Sequence, residues 1–147
     1  MPFFSAWLLA AILAFAPGVA QVHAPAKISA PAHASVEATV TVAIEAGYHI
    51  QSNHPKLDYL IPSQVSLTPA DGIELKQTDW PKPEEHKFSF SADPLTVFEG
   101  DVPVRLRLAT GAPGTHTIQG SLHYQACTDQ LCRPPATAPF TLTIVVR

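Results

Sequence analysis

The sequence predicts an all-β protein, an antiparallel β-sandwich built as one domain. Apolar and polar residues alternate along several short stretches, most clearly over residues 36–45, and this period of two is typical of half-buried strands. Turn-forming residues separate these stretches, and 15 prolines among 147 residues argue against a helical bundle. Beyond the N-terminal segment, no stretch shows the 3.6-residue apolar period of a helix.

The alternating stretches amount to seven to nine short strands, the number typical of a sandwich. Both cysteines lie near the C-terminal end, so the Cys–Trp–Cys arrangement of antibody domains is absent from the sequence. Residues 97–101 are predicted as a loop or a tight connection between strands. Strands are predicted at residues 36–45, 48–50, 60–67, 73–75, 88–91, 102–109, 118–126 and 140–146.

The N-terminal residues 1–20 are predicted as a signal peptide. Residues 6–16 form an uncharged apolar run that is too short to cross a bilayer as a helix, and Gly18 and Ala20 are small residues suited to a signal-peptidase site. Residues 21–34, rich in alanine and proline, are predicted as a flexible lead-in, and the domain spans residues 35–147. We therefore expect an exported protein without stable membrane insertion after cleavage, with its cysteines in an oxidising compartment.

Composition excludes several classes of function. The net charge is −3, so the basic surface that nucleic-acid binding requires is missing. Two cysteines are too few for a four-thiolate zinc site. The sequence contains no phosphate-binding loop, dinucleotide fingerprint or Ser-His-Asp motif, and we expect no cofactor.

The cysteines, Cys127 and Cys132, are the main candidates for chemistry. Four residues separate them, the predicted strand before them ends at Cys127, and Pro134–Pro135 prevent strand pairing after them. The residues alone leave three alternatives open: a stapling disulfide worth about 2 kcal/mol, a redox-active pair, or a copper or zinc site that also uses His123. A blue-copper site also needs an axial methionine, and the only methionine is Met1.

Charged neighbours bear on the reactivity of the pair. Arg133 is the only nearby cation in the sequence and is a candidate for favouring the Cys132 thiolate, whereas Asp129 opposes it. His49 is predicted as a surface residue of its strand or turn rather than a ligand.

The cysteine segment resembles a known family. Residues 124–135, YQACTDQLCRPP, resemble the cysteine motif of the N-terminal periplasmic domain of the thiol:disulfide interchange protein DsbD. Three further segments resemble that family in the same order: Gly47–Ile50 (GYHI), Ile61–Pro62 and Phe98–Gly100 (FEG). The resemblance covers about residues 35–146, which is most of the chain.

The resemblance implies an immunoglobulin-like sandwich whose two cysteines form a reversible disulfide. It implies that Cys132 attacks, or is attacked by, the substrate protein and that Cys127 resolves the mixed disulfide. It further implies that Phe98 belongs to a loop that shields the pair until a partner docks, and that Tyr48 and Tyr124 pack near the pair. On this basis we expect a component of a periplasmic thiol–disulfide oxidoreductase system.

The resemblance also implies the partners. In that family the domain receives electrons from a membrane-embedded partner and passes them to periplasmic thioredoxin-fold proteins. DsbD itself continues into further domains, whereas this sequence ends at Arg147, so we expect the membrane electron donor to be a separate protein. The best-known members have a slightly longer cysteine spacing, so we expect the local turn to differ here.

Overall fold

The computed structural model describes residues 18–70 and 72–147, and this part of the chain folds into twelve strands in three sheets without a helix. Most of the predicted signal peptide, residues 1–17, lies outside the described residues. None of the described residues forms a helix that is long and apolar enough to cross a membrane. The strands are β1 (Ala20–His23), β2 (Ile28–Ala30), β3 (Ser35–Ile44), β4 (His49–Gln51), β5 (Gln64–Leu67), β6 (Ile73–Asp79), β7 (Glu84–His86), β8 (Leu95–Phe98), β9 (Asp101–Thr110), β10 (Gly114–Tyr124), β11 (Ala126–Cys127) and β12 (Ala136–Val146).

Two four-stranded sheets pack face to face and enclose the main core. One has the order β1–β3–β9–β6 and the other β2–β12–β10–β5. Every pair in them is antiparallel except β2 and β12, which run parallel. The four long strands alternate buried and exposed residues because one face of each sheet covers the core. The predicted all-β sandwich is therefore confirmed. Inward residues of these strands include Val40, Val42, Val104, Leu106, Leu122, Leu142 and Ile144.

The predicted flexible lead-in, residues 21–34, differs in the structure, because it contributes to both sheets. Strand β1 pairs with β3, and β2 pairs with β12. Ala20, the predicted last residue of the signal peptide, is buried, and its backbone N–H donates to the Tyr124 hydroxyl at 3.2 Å. The segment is ordered because its small apolar residues fit the core and its backbone groups complete the sheet edges.

A third, smaller sheet has the order β11–β4–β8–β7 and carries the cysteines. All three residues of β4, His49–Gln51, are buried, because strands flank β4 on both sides and side chains cover both of its faces. A second hydrophobic cluster lies on this sheet, separate from the main core. Its buried members are Leu60, Phe88, Leu95, Val97 and Cys127, and Leu57 and Cys132 pack against them.

Two predicted local structures around this sheet are wrong. Residues 88–91 are not a strand but the turn between β7 and β8, in which Ser91 N–H donates to the Phe88 carbonyl at 3.3 Å. Residues 97–101 are not one loop, because residues 97 and 98 end β8 and pair with β4. The connection that follows consists of Glu99 and Gly100, and the φ of 67° at Gly100 favours glycine.

Strand β10 includes a glycine that the core requires. A Cβ added to Gly120 would lie 2.3 Å from Cζ of Phe140, the residue opposite it on β12. We expect Gly120→Ala to lower the free energy of unfolding by about 1–3 kcal/mol, because the ring has to leave its packed position. Urea denaturation measures the change. Gln119→Ala, on the exposed face of the same strand, is the control and should stay within about 0.5 kcal/mol of wild type.

Candidate functional site

Cys127 and Cys132 form a disulfide that closes a tight loop beside the third sheet. Their Cα atoms are 3.9 Å apart. Strand β11 holds Cys127 opposite His49 of β4. Within the loop, Thr128 N–H donates to the Leu131 carbonyl at 2.8 Å, and after it Arg133 N–H donates to the Ala126 carbonyl at 2.8 Å. The loop is therefore fixed at both ends by backbone hydrogen bonds.

The two sulfur-bearing residues differ in accessibility. Cys127 is 0% exposed, whereas Cys132 is only partly buried. Leu131, immediately before Cys132, is 56% exposed. The side chain of Cys132 is therefore the more accessible of the two, and Cys127 is its enclosed partner.

A buried amide contacts the enclosed sulfur. Nε2 of Gln51 donates to Cys127 Sγ at 3.4 Å, and Gln51 is itself 0% exposed. The backbone of Gln51 is held by hydrogen bonds to the Gln125 carbonyl, at 3.1 Å, and from Ser63 Oγ, at 2.5 Å. Strand β4 thus holds the side-chain amide of Gln51 next to Cys127.

The hairpin formed by β7 and β8, residues 84–98, covers the disulfide loop. Phe88 of its turn is fully buried in the same cluster as Cys127. Three hydrogen bonds join the hairpin to Asp129 in the disulfide loop: His86 Nε2 donates to Oδ1 at 2.8 Å, and Ser89 donates to the carbonyl from N–H at 3.1 Å and from Oγ at 2.8 Å. Asp129, which the sequence presented only as a charge, therefore binds the covering hairpin.

A salt bridge ties the hairpin to the rest of the site. Lys56, between β4 and β5, binds Glu85 of β7. This hydrogen bond, and then the charge of Lys56, hold the pKa of the Glu85 carboxyl below its ordinary value. A carboxyl with a lowered pKa in the folded state keeps its partner at neutral pH and loses it as the pH falls through that lowered value. The Lys56–Glu85 salt bridge is therefore present at neutral pH.

Two histidines and a carboxylate meet beside the disulfide. His49 is buried rather than on the surface, and its ring lies 4.2 Å from that of His86 at an angle of 30°. Ligand atoms of His49, His86 and Asp129 lie within 4.8 Å of one another. However, imidazole lone pairs lie in the ring planes, and two rings that are nearly face to face do not direct them to one point. Each ring also binds a carboxylate, His49 that of Glu99 at 3.0 Å.

The copper or zinc site that the sequence left open, formed by the two cysteines and His123, is not present in the part of the chain that the structure describes. His123 is exposed on β10, opposite Gln64 of β5 and Thr137 of β12. Among the described residues, the cluster with metal-ligand spacing includes neither His123 nor a cysteine.

The other predicted site residues lie at different distances from the pair. The Arg133 guanidinium donates to the Tyr48 hydroxyl at 2.6 Å and lies 4.9 Å from the centre of its ring, so Tyr48 contacts the residue that directly follows Cys132. Tyr124 lies in the main core, where its hydroxyl binds the N-terminal strand.

Phe98 is in a strand rather than a loop, and its side chain packs in the main core and not against the cysteine pair, so the prediction that Phe98 shields the pair is wrong. Phe98 is a buried residue of β8 whose ring stacks on Trp80, 5.3 Å away, in the main core. Phe88, ten residues earlier, occupies the covering position instead.

Sequence reasoning missed Gln51, His86 and Phe88 as site residues. Gln51 directly follows the GYHI segment, so an amide one residue beyond that match was the available signal. His86 and Phe88 gave no comparable signal, because the alternation of phenylalanine and serine over residues 88–91 has the period of a strand.

The fold and the site define a class of protein: a β-sandwich domain with an accessible disulfide under a covering hairpin. A family model described as the N-terminal region of the thiol:disulfide interchange protein DsbD matches residues 17–144. The chain belongs to this family, and the resemblance stated from the sequence is confirmed. It is a thiol–disulfide exchange domain with Cys127 and Cys132 as its cysteine pair, and the family is periplasmic.

Solved structures agree with this assignment. The reduced N-terminal domain of DsbD from Neisseria meningitidis is 25% identical, with a TM-score of 0.51, over 75% of this chain and 78% of that one. The N-terminal periplasmic domain of ScsB from Proteus mirabilis is 16% identical, with a TM-score of 0.57. That match covers 86% of this chain and 46% of the ScsB chain, and it shows the fold alone. No curated protein sequence matches the chain. The fold is the immunoglobulin-like sandwich that the resemblance implied.

The covering position of Phe88 can be tested by truncation. Phe88→Ala removes a fully buried ring, a change that costs about 3–5 kcal/mol in a packed core. We expect the hairpin to open more often and glutathione to reduce the disulfide at least about tenfold faster. Quenching with an alkylating reagent followed by mass spectrometry measures this rate. Phe90→Ala, which truncates a 43% exposed ring stacked on Phe88, is the control with a smaller effect, and equal rates in both variants contradict the assignment.

Proposed function

We propose that the Cys127–Cys132 pair relays reducing equivalents from a membrane electron donor to periplasmic thioredoxin-fold proteins. The observation that carries this proposal is the unequal exposure of the two cysteines, with Cys127 enclosed and Cys132 within reach of solvent. A stapling disulfide needs no such difference, whereas exchange requires one sulfur that a partner can attack and another that can leave.

Cys132 is the sulfur that bonds to partners. In the reaction that reduces the oxidised domain, a donor thiolate attacks Cys132 Sγ. The Cys127–Cys132 bond breaks, and its electron pair moves to Cys127. A second donor thiolate then attacks the donor's own sulfur in the mixed disulfide and releases Cys132 as a thiolate. The donor dithiol is oxidised to a disulfide, and the domain gains two electrons and two protons.

Delivery of electrons runs the same steps in reverse. The Cys132 thiolate attacks the disulfide of the acceptor, and one acceptor sulfur leaves as a thiolate that takes up a proton. Cys127 then attacks Cys132 Sγ, which releases the second acceptor thiol and restores the Cys127–Cys132 disulfide. The acceptor is reduced by two electrons.

The hairpin of residues 84–98 shields the pair until a partner docks. Its hydrogen bonds to Asp129 and the burial of Phe88 support this role. Two large apolar side chains remain exposed around it, Phe90 on the hairpin and Leu131 on the disulfide loop. These side chains offer apolar contact to a partner at the rim of the site.

Arg133 modulates the Cys132 thiolate through its charge. Tyr48 holds the guanidinium by a hydrogen bond and by its ring, so the positive charge next to Cys132 in the sequence has a fixed position. Export through the signal peptide at residues 1–20 brings the domain to the periplasm.

Trapping tests which cysteine bonds to partners. We expect Cys127→Ala to accumulate a mixed disulfide between Cys132 and an oxidised thioredoxin-fold protein, because no thiol is left to resolve it. Non-reducing electrophoresis with peptide mass spectrometry identifies the linkage. Cys132→Ala is the matched variant and should trap less than about a tenth as much, since Cys127 is enclosed. Equal trapping through both cysteines, or none through Cys132, contradicts the proposal.

A redox titration separates exchange from stapling. We expect the wild-type pair to reach equilibrium with glutathione buffers between about −180 and −250 mV, the range of exchangeable disulfides. Alkylation of free thiols followed by mass spectrometry gives the reduced fraction at each potential. A bond that stays closed throughout this range, with a potential below about −300 mV, marks a structural disulfide and defeats the proposal.

A further inference from the structure

The side-chain amide of Gln51 has an unusual environment. It is fully buried, Nε2 donates to Cys127 Sγ at 3.4 Å, and Oε1 is buried without a hydrogen-bond partner among the described residues. Burying an amide with one end unpaired is costly, and an apolar side chain at the same place avoids that cost. A half-satisfied amide beside a reacting sulfur is therefore better explained by what it does for the sulfur than by stability.

We propose that Gln51 stabilises Cys127 as the leaving group of the exchange reaction. This inference rests on the proposed function, because it concerns the step in which Cys132 is attacked. In that step a new bond forms between the attacking sulfur and Cys132 Sγ, and the Cys127–Cys132 bond breaks. Both electrons of the broken bond move to Cys127 Sγ, and the Nε2–H of Gln51 already points at this atom.

The hydrogen bond strengthens as the reaction proceeds. A neutral disulfide sulfur is a weak acceptor, whereas a thiolate forms a charge-assisted hydrogen bond. Interactions that are stronger in the transition state than in the ground state accelerate a reaction. Cys127 is 0% exposed, so water does not solvate the developing charge, and a fixed donor in a buried site takes its place.

The same contact favours one direction of bond cleavage. Attack at Cys132 places the negative charge on Cys127, which has an amide donor. Attack at Cys127 would place it on Cys132 and would require entry into the closed side of the site. Burial and hydrogen bonding therefore both select Cys132 as the atom that is attacked.

The test is the rate at which dithiothreitol reduces the disulfide in the full chain carrying Gln51→Met. Methionine is similar in length and has no donor. We expect reduction to be about tenfold slower than in wild type, the effect of losing a hydrogen bond to a charged atom. We also expect the melting temperature of the oxidised protein to stay equal or rise, because the unpaired Oε1 disappears.

Two further variants make the result specific. Thr110→Val is the matched control, because it removes buried side-chain hydrogen bonds to the Pro31 and Ala34 carbonyls of the main sandwich and leaves the contacts of Gln51 in place. Its reduction rate should stay within about twofold of wild type. Gln51→Asn keeps an amide but is one methylene shorter, so the donor falls short of the sulfur and reduction slows as in Gln51→Met.

The role of Gln51 is overturned if folded Gln51→Met and Gln51→Asn are reduced at the wild-type rate, or if Thr110→Val slows reduction equally. It is also overturned if dithiothreitol fails to reduce the folded wild-type protein. Dithiothreitol needs no docking surface, so these rates do not depend on recognition of a protein partner. Failure of the trapping experiment with a protein partner contradicts the proposed relay and leaves the Gln51 result standing.

Discussion

The packing of Cys127 against strand β4 is the contact on which the rest of the site depends. Because β11 pairs with β4, the sulfur of Cys127 lies on the closed side of the sheet and beside the amide of Gln51. The tight loop then carries the chain back toward solvent, so that Cys132 emerges at the surface. A short strand pair therefore makes two chemically identical residues inequivalent.

The main sandwich supports this arrangement from a distance. Its two sheets bury the inward side chains of the long alternating strands and supply most of the apolar burial. The disulfide lies on a third sheet with its own small hydrophobic cluster. Strand β4 connects the two, because Ile50 belongs to the main core while the disulfide sits against the neighbouring residues. The disulfide is thus attached to the main sandwich through β4 but lies outside the core of that sandwich.

How much of this the sequence predicts depends on the length of each element. Strands β3, β9, β10 and β12 alternate over ten or eleven residues and were predicted, because the pattern repeats often enough to be recognised. Strands β1 and β2 have four and three residues among alanines and prolines, and only tertiary pairing defines them. The cysteine pair could be predicted from a sequence motif, but the hairpin that covers it could not. Serine and phenylalanine alternate over a turn at Phe88, and the predicted cover at Phe98 is a strand.

The second cluster gives the domain a separate unit of local unfolding. The hairpin is held by the pairing of β8 with β4 and by a few side chains, and only Phe98, at its end, belongs to the main core among its buried residues. The free energy of opening it is therefore a fraction of the global free energy of unfolding. Under the proposed function, a docking protein supplies only that fraction, and the sandwich keeps its fold while the disulfide is uncovered. Thermodynamic stability and access to the sulfur are consequently separable properties of this chain, open to independent adjustment by mutation.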